Sequence, residues 1–170
     1  TGGTGYIGSH TCVALIQAGY DVVVLDNLYN SNKVVLDRIK EITGTKPKFY
    51  ETDILDRAGL DKIFEENKID AVIHFAGYKA VGESVQKPVE YYTNNVSTVL
   101  VLLDEMKKHN VKTLVFSSSA TVYGDPEIVP ITEDGKVGGT TNPYGTSKLM
   151  VEQILQDLYK SDNEWNIAIL

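Results

Sequence analysis

Cysteine and basic residues are scarce in this 170-residue sequence. Cys12 is its one cysteine, so no disulfide can form within the chain, and without a secretory signal this predicts a reducing, cytoplasmic setting. The 16 Lys and Arg residues are outnumbered by 23 Asp and Glu, and the formal net charge of −7 argues against a nucleic-acid polymer as partner. No run of 18 apolar residues occurs, so no membrane-spanning segment is predicted.

The overall composition is typical of a globular protein. Hydrophobic residues make up 42% of the chain and charged residues 23%, which excludes a disordered or collagen-like chain. The length is close to that of one ordinary domain. The sequence begins at Thr1 without a methionine and stops within the apolar run 167–170, so we expect both ends to be cut from a longer protein.

Apolar, β-branched runs alternate with helical patterns along the whole chain. The predicted strands cover 21–25, 48–51, 71–75, 113–116 and 166–170. The predicted helices cover 6–18, 34–42 and 58–67, and two more begin after Pro88 and Pro143. This alternation predicts an α/β fold with a doubly wound parallel sheet, in which the loops after the strands line a ligand crevice. The segments 76–88 and 119–141 are predicted to be such loops.

A glycine-rich loop opens the chain, with Gly2, Gly5 and Gly8 in a G-x-x-G-x-x-G pattern. Glycines allow the backbone to approach a pyrophosphate closely, and the helix that follows supplies free N–H donors. Asp26 ends the next predicted strand 18 residues after Gly8, near the spacing of about 20 for a ribose-binding acid. A carboxylate there favours NAD over NADP because it repels a 2′-phosphate. The alternatives are a plain turn for the glycines and a turn cap for Asp26.

Tyr144 and Lys148 form a Y-x-x-x-K pair at the start of a predicted helix, where a spacing of four puts both side chains on one face. A phenol is a poor base at neutral pH, and a nearby ammonium lowers its pKa, so the pair suits proton transfer. Ser119 lies at the end of the strand 113–116 and is predicted to donate a hydrogen bond to a substrate oxygen. Ser117 and Ser118 are predicted only to cap that strand.

Other candidate residues are interpreted as structural. A second Y-x-x-x-K match, at 29–33, is a chance match on a loop. His10, His74 and His109 lie far apart and share no ligand spacing, so no metal site is predicted. His74, inside an apolar strand, is predicted to be a core histidine with its hydrogen bonds satisfied. His109 ends a helix and suits the helix dipole.

The glycine loop, the strand-end Asp26, the serine and the Tyr–Lys pair together resemble the extended short-chain dehydrogenase/reductase family. The resemblance runs over essentially the whole chain and is carried by four strings: Gly2–Thr11, His74–Val85, Phe116–Gly124 and Asn142–Gly145. It implies an NAD-binding Rossmann fold. The longest strings resemble the branch of that family that interconverts UDP-glucose and UDP-galactose through a 4-keto sugar, in galactose metabolism.

The resemblance also implies roles for individual residues. Tyr144, as a phenolate, would take the proton from the 4-hydroxyl of the sugar while hydride passes to NAD. Ser119 would orient the reacting oxygen, so Ser119 and Tyr144 are the substrate-binding residues. Lys148 would hold the nicotinamide ribose and tune Tyr144. The residues implied to bind NAD are Gly2, Gly5, Tyr6, Ile7, Gly8, Asp26, Asn27, Leu28, Tyr29, Asn30, Ser31, Asp53, Ile54, Phe75, Ala76, Gly77, Tyr78, Lys79, Asn94, Ser119, Tyr144 and Lys148.

The resemblance further implies that 1–170 is an incomplete dinucleotide-binding domain. Its first strand would precede Thr1 and a substrate domain would follow Leu170, so we expect this span alone to be poorly folded and inactive. A homodimer built on the fourth and fifth predicted helices is also implied.

Two alternative functions stay open. One is a related nucleotide-sugar dehydratase or reductase, although dehydratase relatives carry Asp-Glu where this chain has Ala120-Thr121. The other is a non-catalytic dinucleotide-sensing protein, which would be expected to lose the Tyr–Lys pair.

Overall fold

The computed structural model describes residues 1–170. The helices are α1 (Tyr6–Gln17), α2 (Val34–Thr43), α3 (Arg57–Glu66), α4 (Val81–Gln86), α5 (Pro88–Tyr92), α6 (Thr98–Lys108) and α7 (Pro143–Ser161). The strands are β1 (Val23–Asp26), β2 (Lys48–Glu51), β3 (Val72–His74), β4 (Thr113–Phe116) and β5 (Asn166–Ile169). A π-helical turn, Thr93–Ser97, joins α5 to α6, and a 3₁₀ turn, Ala120–Tyr123, follows β4.

Every strand pair is parallel, as the alternating pattern predicts. β1 pairs with β2, and β3, β4 and β5 form a second ladder in that order. The registers place Val23 beside Lys48, and Leu114 between Val72 and Ile167. The α/β fold with parallel strand pairing is therefore confirmed.

The first two residues lie between the two ladders. The amide of Gly2 donates to the carbonyl of Leu25 at 2.8 Å, on the β1 side. On the β3 side, the amide of Phe75 donates to the carbonyl of Thr1 at 3.1 Å, and the amino group of Thr1 donates to the carbonyl of Ile73 at 2.8 Å. The glycine loop is thus hydrogen-bonded to the carboxyl ends of both ladders.

The main core lies between β3 and β4 and the helices α3, α6 and α7. It contains 17 buried residues, and those with no more than 1% of their surface exposed are Val99, Leu102, Met106, Leu114, Phe116, Val151, Leu155 and Trp165. A second, smaller cluster joins α1, α2 and β1 through Cys12, Val24, Leu36 and Ile39. Two members of the main core, Leu25 and Ile54, lie at the carboxyl ends of β1 and β2.

Most predicted element bounds are confirmed to within a few residues. α1 ends as expected before Gly19, whose φ of 88° is the left-handed conformation that glycine adopts after a helix. The prediction that 76–88 is a loop is wrong in part, because α4 lies within it. The helix predicted after Pro88 exists, but the π-helical turn interrupts it at Thr93–Ser97.

None of the helices is both long enough and apolar enough to cross a membrane.

Candidate active site

A cleft lies at the carboxyl ends of β1, β2, β3 and β4. Its empty space, with the open entrance included, is about 1070 Å³. The predicted site residues that line it are Gly2, Gly5, Tyr6, Ile7, Gly8, Asp26, Asn27, Tyr29, Asn30, Asp53, Ile54, Phe75, Ala76, Gly77, Tyr78, Lys79, Asn94, Tyr144 and Lys148. The cleft therefore brings together the glycine loop, the acid and the Tyr–Lys pair.

Three predicted site residues lie outside this lining. Leu28 has a left-handed φ of 57°, and its amide donates to Asp26 at 3.0 Å. The Ser31 hydroxyl donates to the same carboxylate at 3.2 Å. The Ser119 hydroxyl accepts from the hydroxyl of Thr121 at 2.9 Å and from its amide at 3.3 Å. In this conformation the Leu28 amide and the Ser31 and Ser119 hydroxyls stabilise turns instead of facing the cleft. Their predicted contacts with a ligand stay predictions.

The glycine loop is packed so closely that side chains cannot replace two of its glycines. A Cβ on Gly8 would lie 2.2 Å from the carbonyl oxygen of Gly2. A Cβ on Gly2, whose φ is 70°, would lie 2.6 Å from the amide nitrogen of Ala76. α1 begins directly after Gly5 with no side-chain cap, so the first amides of the helix have no partner within it. The loop therefore presents free N–H donors to the cleft, as an anion site requires.

Asp26 anchors the loops on the β1 side of the cleft. It is 8% exposed, and its Oδ2 accepts from the amide of Thr4 at 3.1 Å while its Oδ1 accepts from Leu28 and Ser31. The sequence allowed two roles for Asp26, a turn cap and a ribose-binding acid. The two are compatible, because the carboxylate caps a turn and also lines the cleft. A carboxylate has about four acceptor positions, so it can still accept from a bound hydroxyl.

Lys148 is buried at the floor of the cleft. It is 7% exposed, and its Nζ donates to the carbonyl of Ser117 at 2.8 Å and lies 4.7 Å from the ring centre of Phe116. Burial lowers the pKa of Lys148 to about 8, because a desolvated ammonium is disfavoured. The Lys148 ammonium that α7 places in the cleft therefore loses its proton at a lower pH than an exposed lysine does.

Tyr144 lies one turn before Lys148 and is half-buried in the cleft. α7 starts sharply at this point, because the side chain of Asn142 accepts from the amide of Gly145 at 2.9 Å and Pro143 follows it. A Cβ on Gly145 would lie 3.0 Å from the carbonyl of Thr121, so this glycine lets the helix approach the turn that contains Ser119. The fold thus places the 3₁₀ turn that follows Ser119 against the N-terminal end of α7, the helix that contains Tyr144.

Sequence reasoning missed Asn95. This residue is 4% exposed, and its side chain accepts from the amide of Tyr78 at 2.8 Å and donates to the carbonyl of Tyr78 at 2.9 Å and to Ser147 at 3.0 Å. It ties the loop after β3 to α7. The pair of adjacent asparagines in an otherwise apolar helical stripe, Asn94-Asn95, is the sequence signal that could have found it.

Ser117 and Ser118, predicted to act only as strand caps, both line the cleft. The hydroxyl of Ser118 donates to the carboxylate of Glu152, which is 8% exposed. Glu152 lies one turn after Lys148 on α7, so two successive turns of that helix hold the end of β4. Nothing in the spacing of Glu152 marks it as a partner of a serine 34 positions earlier.

The histidines lie away from the cleft lining. His74 is 2% exposed, and its Nδ1 is hydrogen-bonded to the Thr1 hydroxyl at 2.8 Å, which confirms a satisfied core histidine. Burial holds its pKa well below the usual range. His109 caps the end of α6, and its Nε2 lies 2.6 Å from Asp61.

Asp61 and His109 belong to a charged group that also contains Glu105, with ligand-type atoms within 4.8 Å of one another. The sequence did not predict this contact, because Asp61 lies far from Glu105 and His109 along the chain. The amino group of Lys108 lies 2.6 Å from Asp61 and the guanidinium of Arg57 lies 3.7 Å from Glu105. These cations already neutralise the carboxylates, and the absence of a metal site stays a prediction.

Comparison with known proteins gives consistent matches over the full chain. The sequence model of the NAD dependent epimerase/dehydratase family matches residues 1–170. The chain is 68% identical over 170 residues to the UDP-glucose 4-epimerase of Haemophilus influenzae, and 61% identical to that of Bacillus subtilis. Each alignment covers 100% of this chain and 50% of the relative. The chain thus spans about half the length of the curated relatives it matches.

Solved structures of UDP-glucose 4-epimerases also match nearly the whole chain. The crystal structure of UDP-glucose 4-epimerase from Bifidobacterium longum, in complex with NAD⁺ and UDP, superposes with a TM-score of 0.98 at 57% identity. The enzyme from Brucella ovis, in complex with NAD, superposes with a TM-score of 0.89 at 39% identity. The alignments cover 99% of this chain and 50% and 49% of those chains, respectively.

Proposed function

The chain belongs to the NAD dependent epimerase/dehydratase family, and from that premise we propose that its protein interconverts UDP-glucose and UDP-galactose with tightly bound NAD. The observation that carries this proposal is the single cleft shared by the glycine loop, Asp26, Tyr144 and Lys148. The 68% identity to the Haemophilus influenzae enzyme over the whole chain supports the same reaction.

The residues of the cleft fit NAD on geometric grounds. A Cβ at Gly2 or Gly8 would collide with backbone, so these positions leave the room that a pyrophosphate needs beside the start of α1. Asp26 would accept from the adenosine ribose, and its negative charge disfavours a 2′-phosphate at the same place. Lys148 would donate to the nicotinamide ribose from the other end of the cleft.

Bound NAD supplies a hydride acceptor and donor, so that C4 of the sugar can become a ketone and return with either configuration. Tyr144 would hold the proton of the 4-hydroxyl on its phenolic oxygen and give it back when the sugar is reduced. Ser119 would donate to the reacting oxygen after its hydroxyl turns away from Thr121.

Substitution of Tyr144 by Phe tests the proposal in the whole protein. Removing the hydroxyl removes the proton carrier but leaves the glycine loop intact, so NAD should stay bound while turnover of UDP-galactose falls by about 10²-fold or more. Tyr159→Phe is the matched control, because Tyr159 lies on the same helix and is 52% exposed. Undiminished turnover in Tyr144→Phe, with the control unchanged, would refute the assignment.

The same experiment separates the enzyme from a dinucleotide sensor. A sensor would bind NAD but show no turnover in the unsubstituted protein. Addition of UDP-galactose to the purified protein should also produce transient absorbance of reduced nicotinamide if the sugar is oxidised in the cleft.

Two further expectations concern the setting of the protein, a homodimer and a cytoplasmic location. The apolar side chains of Val89, Leu100 and Met150, on α5, α6 and α7, are 72%, 46% and 45% exposed, which supports an interface there. Sedimentation of the whole protein, with and without charges at these three positions, tests the dimer.

A further inference from the structure

Two tyrosine rings meet across the cleft. Tyr29 belongs to the loop after β1, Tyr78 belongs to the loop after β3, and both line the cleft. Their ring centroids are 4.8 Å apart and the ring planes are tilted by 36°. This separation is within the range of favourable aromatic pairs. The contact joins two loops that come from different ladders of the sheet.

Tyr78 is the fixed member of the pair. Its amide and carbonyl are both bonded to the buried side chain of Asn95, at 2.8 Å and 2.9 Å. Its ring also meets the edge of Tyr91, with centroids 5.4 Å apart. Tyr91 is 1% exposed and its hydroxyl donates to Glu83 at 2.9 Å, so the ring that supports Tyr78 cannot shift easily.

Tyr29 is the mobile member by the same criteria. The residue is 60% exposed. Its amide donates to the side chain of Asn27 at 3.1 Å, and Asn27 in turn donates to Asp53 at 2.9 Å, so the backbone of the loop is held. The aromatic neighbour of this side chain is Tyr78. Rotation of one side chain could therefore open the contact.

The glycine loop runs between the two walls that the tyrosines join. Its residue Gly2 is bonded to Leu25 at the end of β1, and Thr1 is bonded to Phe75 directly after β3. A dinucleotide with its pyrophosphate on this loop would lie between the loop and the aromatic pair. Burial and the neighbouring Tyr29 raise the pKa of Tyr78, so its phenol stays neutral beside a phosphate.

We propose that Tyr29 and Tyr78 form an aromatic strap that closes over the bound dinucleotide and slows its release. The strap rests on the proposed function, because it needs a resident dinucleotide. Its role is retention of the cofactor: the rings must separate before the pyrophosphate can leave the glycine loop. Contact between the rings, and not either ring alone, carries the effect.

A double-mutant cycle in the whole protein tests the strap. The protein is loaded with isotopically labelled NAD, chased with excess unlabelled NAD, and the release rate is followed for Tyr29→Ala, Tyr78→Leu and the double variant. An aromatic pair of ordinary strength predicts release faster by roughly 2- to 10-fold in each single variant. The double variant should release NAD no faster than the faster single variant.

Three controls make the outcome specific. Tyr20→Ala removes the ring of a residue that is 65% exposed and lies outside the cleft lining, so release should not change. Tyr29→Phe and Tyr78→Phe keep the rings and should restore slow release. Circular dichroism of each variant shows whether it has folded.

The possible failures are distinguishable. Equal release rates in all variants, or effects of the two substitutions that multiply independently, overturn the strap and leave the proposed function in place. A folded, unsubstituted protein that retains no labelled NAD overturns the proposed function and the strap with it.

Discussion

The amino group of Lys148 donates to the carbonyl of Ser117 at 2.8 Å and thereby ties α7 to the end of β4. The ammonium sits in a buried place where its main stabilising partners are a neutral carbonyl and the face of Phe116. No carboxylate forms an ion pair with it. The cost of burying this charge is consequently not offset by an opposite charge, and the pKa of Lys148 falls to about 8.

The first prediction concerns stability against pH. The unfolded chain keeps Lys148 protonated up to a pKa of about 10.5, whereas the folded chain releases the proton near 8. Between these values the unfolded state binds more protons, so the Lys148 contribution makes the free energy of unfolding rise with pH. Urea unfolding at pH 7 and at pH 9.5 should show this rise in the unsubstituted protein and a smaller one in Lys148→Met.

Lys148→Arg is the control for charge, because arginine stays protonated throughout this range. The rise attributed to Lys148 should therefore be missing there as well. An identical pH dependence in all three proteins would contradict the lowered pKa.

The second prediction concerns Asn95. Substitution by Leu keeps a similar volume but removes four hydrogen bonds and leaves the amide and carbonyl of Tyr78 without their partner. The free energy of unfolding should fall by about 2–4 kcal/mol. Asn163→Leu, at an exposed position after α7, should change it by less than about 0.5 kcal/mol. Equal stability of both variants would show that the Asn95 bonds are not important for the fold.

The third prediction compares two glycines. Gly8→Ala puts a Cβ 2.2 Å from a backbone oxygen of Gly2, so the loop must deform, and both NAD retention and stability should fall, the latter by more than about 2 kcal/mol. Gly82→Ala, on α4, has nothing within 4 Å of its Cβ and should stabilise the protein by about 0.5–1 kcal/mol. Thermal unfolding and NAD content measure both. Retained NAD in a folded Gly8→Ala protein would rule out the tight loop.

The fourth prediction concerns Glu152. Its carboxylate accepts from the hydroxyl of Ser118, and a hydrogen bond to a charged group of this kind contributes about 1.5–3 kcal/mol. Glu152→Ala should lose about that much stability by urea unfolding. Glu152→Gln keeps an acceptor oxygen in place and should recover most of it. If Gln behaves like Ala, the hydrogen bond is not the reason for the loss.

The sequence predicted what depends on local pattern. The strands, the main helices and the glycine at the end of α1 follow from periodicity and turn chemistry. Motif spacing finds the glycine loop, Asp26, Tyr144 and Lys148, whereas the other predicted cleft residues are implied by the family resemblance. α4 was missed because six residues containing Gly82 are too few to show a helical period. The π-helical turn was missed because it leaves the apolar stripe around Val96 and Val99 almost unchanged.

Contacts that depend on tertiary structure could not be predicted in this way. Ser118 and Glu152 are 34 positions apart, and Asp61 and His109 are 48 apart. Tyr29 and Tyr78 come from loops on different ladders, and only the folded chain shows that they meet. Ser119 shows the opposite case, since a motif predicts its chemistry while the structure shows its hydroxyl bonded to Thr121.

The position of the glycine loop couples ligand binding to the assembly of the sheet. Its first residues are hydrogen-bonded to β1 through Leu25 and to β3 through Ile73 and Phe75. A ligand that orders this loop therefore holds the two ladders in their mutual position. Occupancy of the cleft should raise the melting temperature in proportion to the logarithm of ligand concentration, and the nucleotide then acts as a non-covalent cross-link between the two halves of the domain.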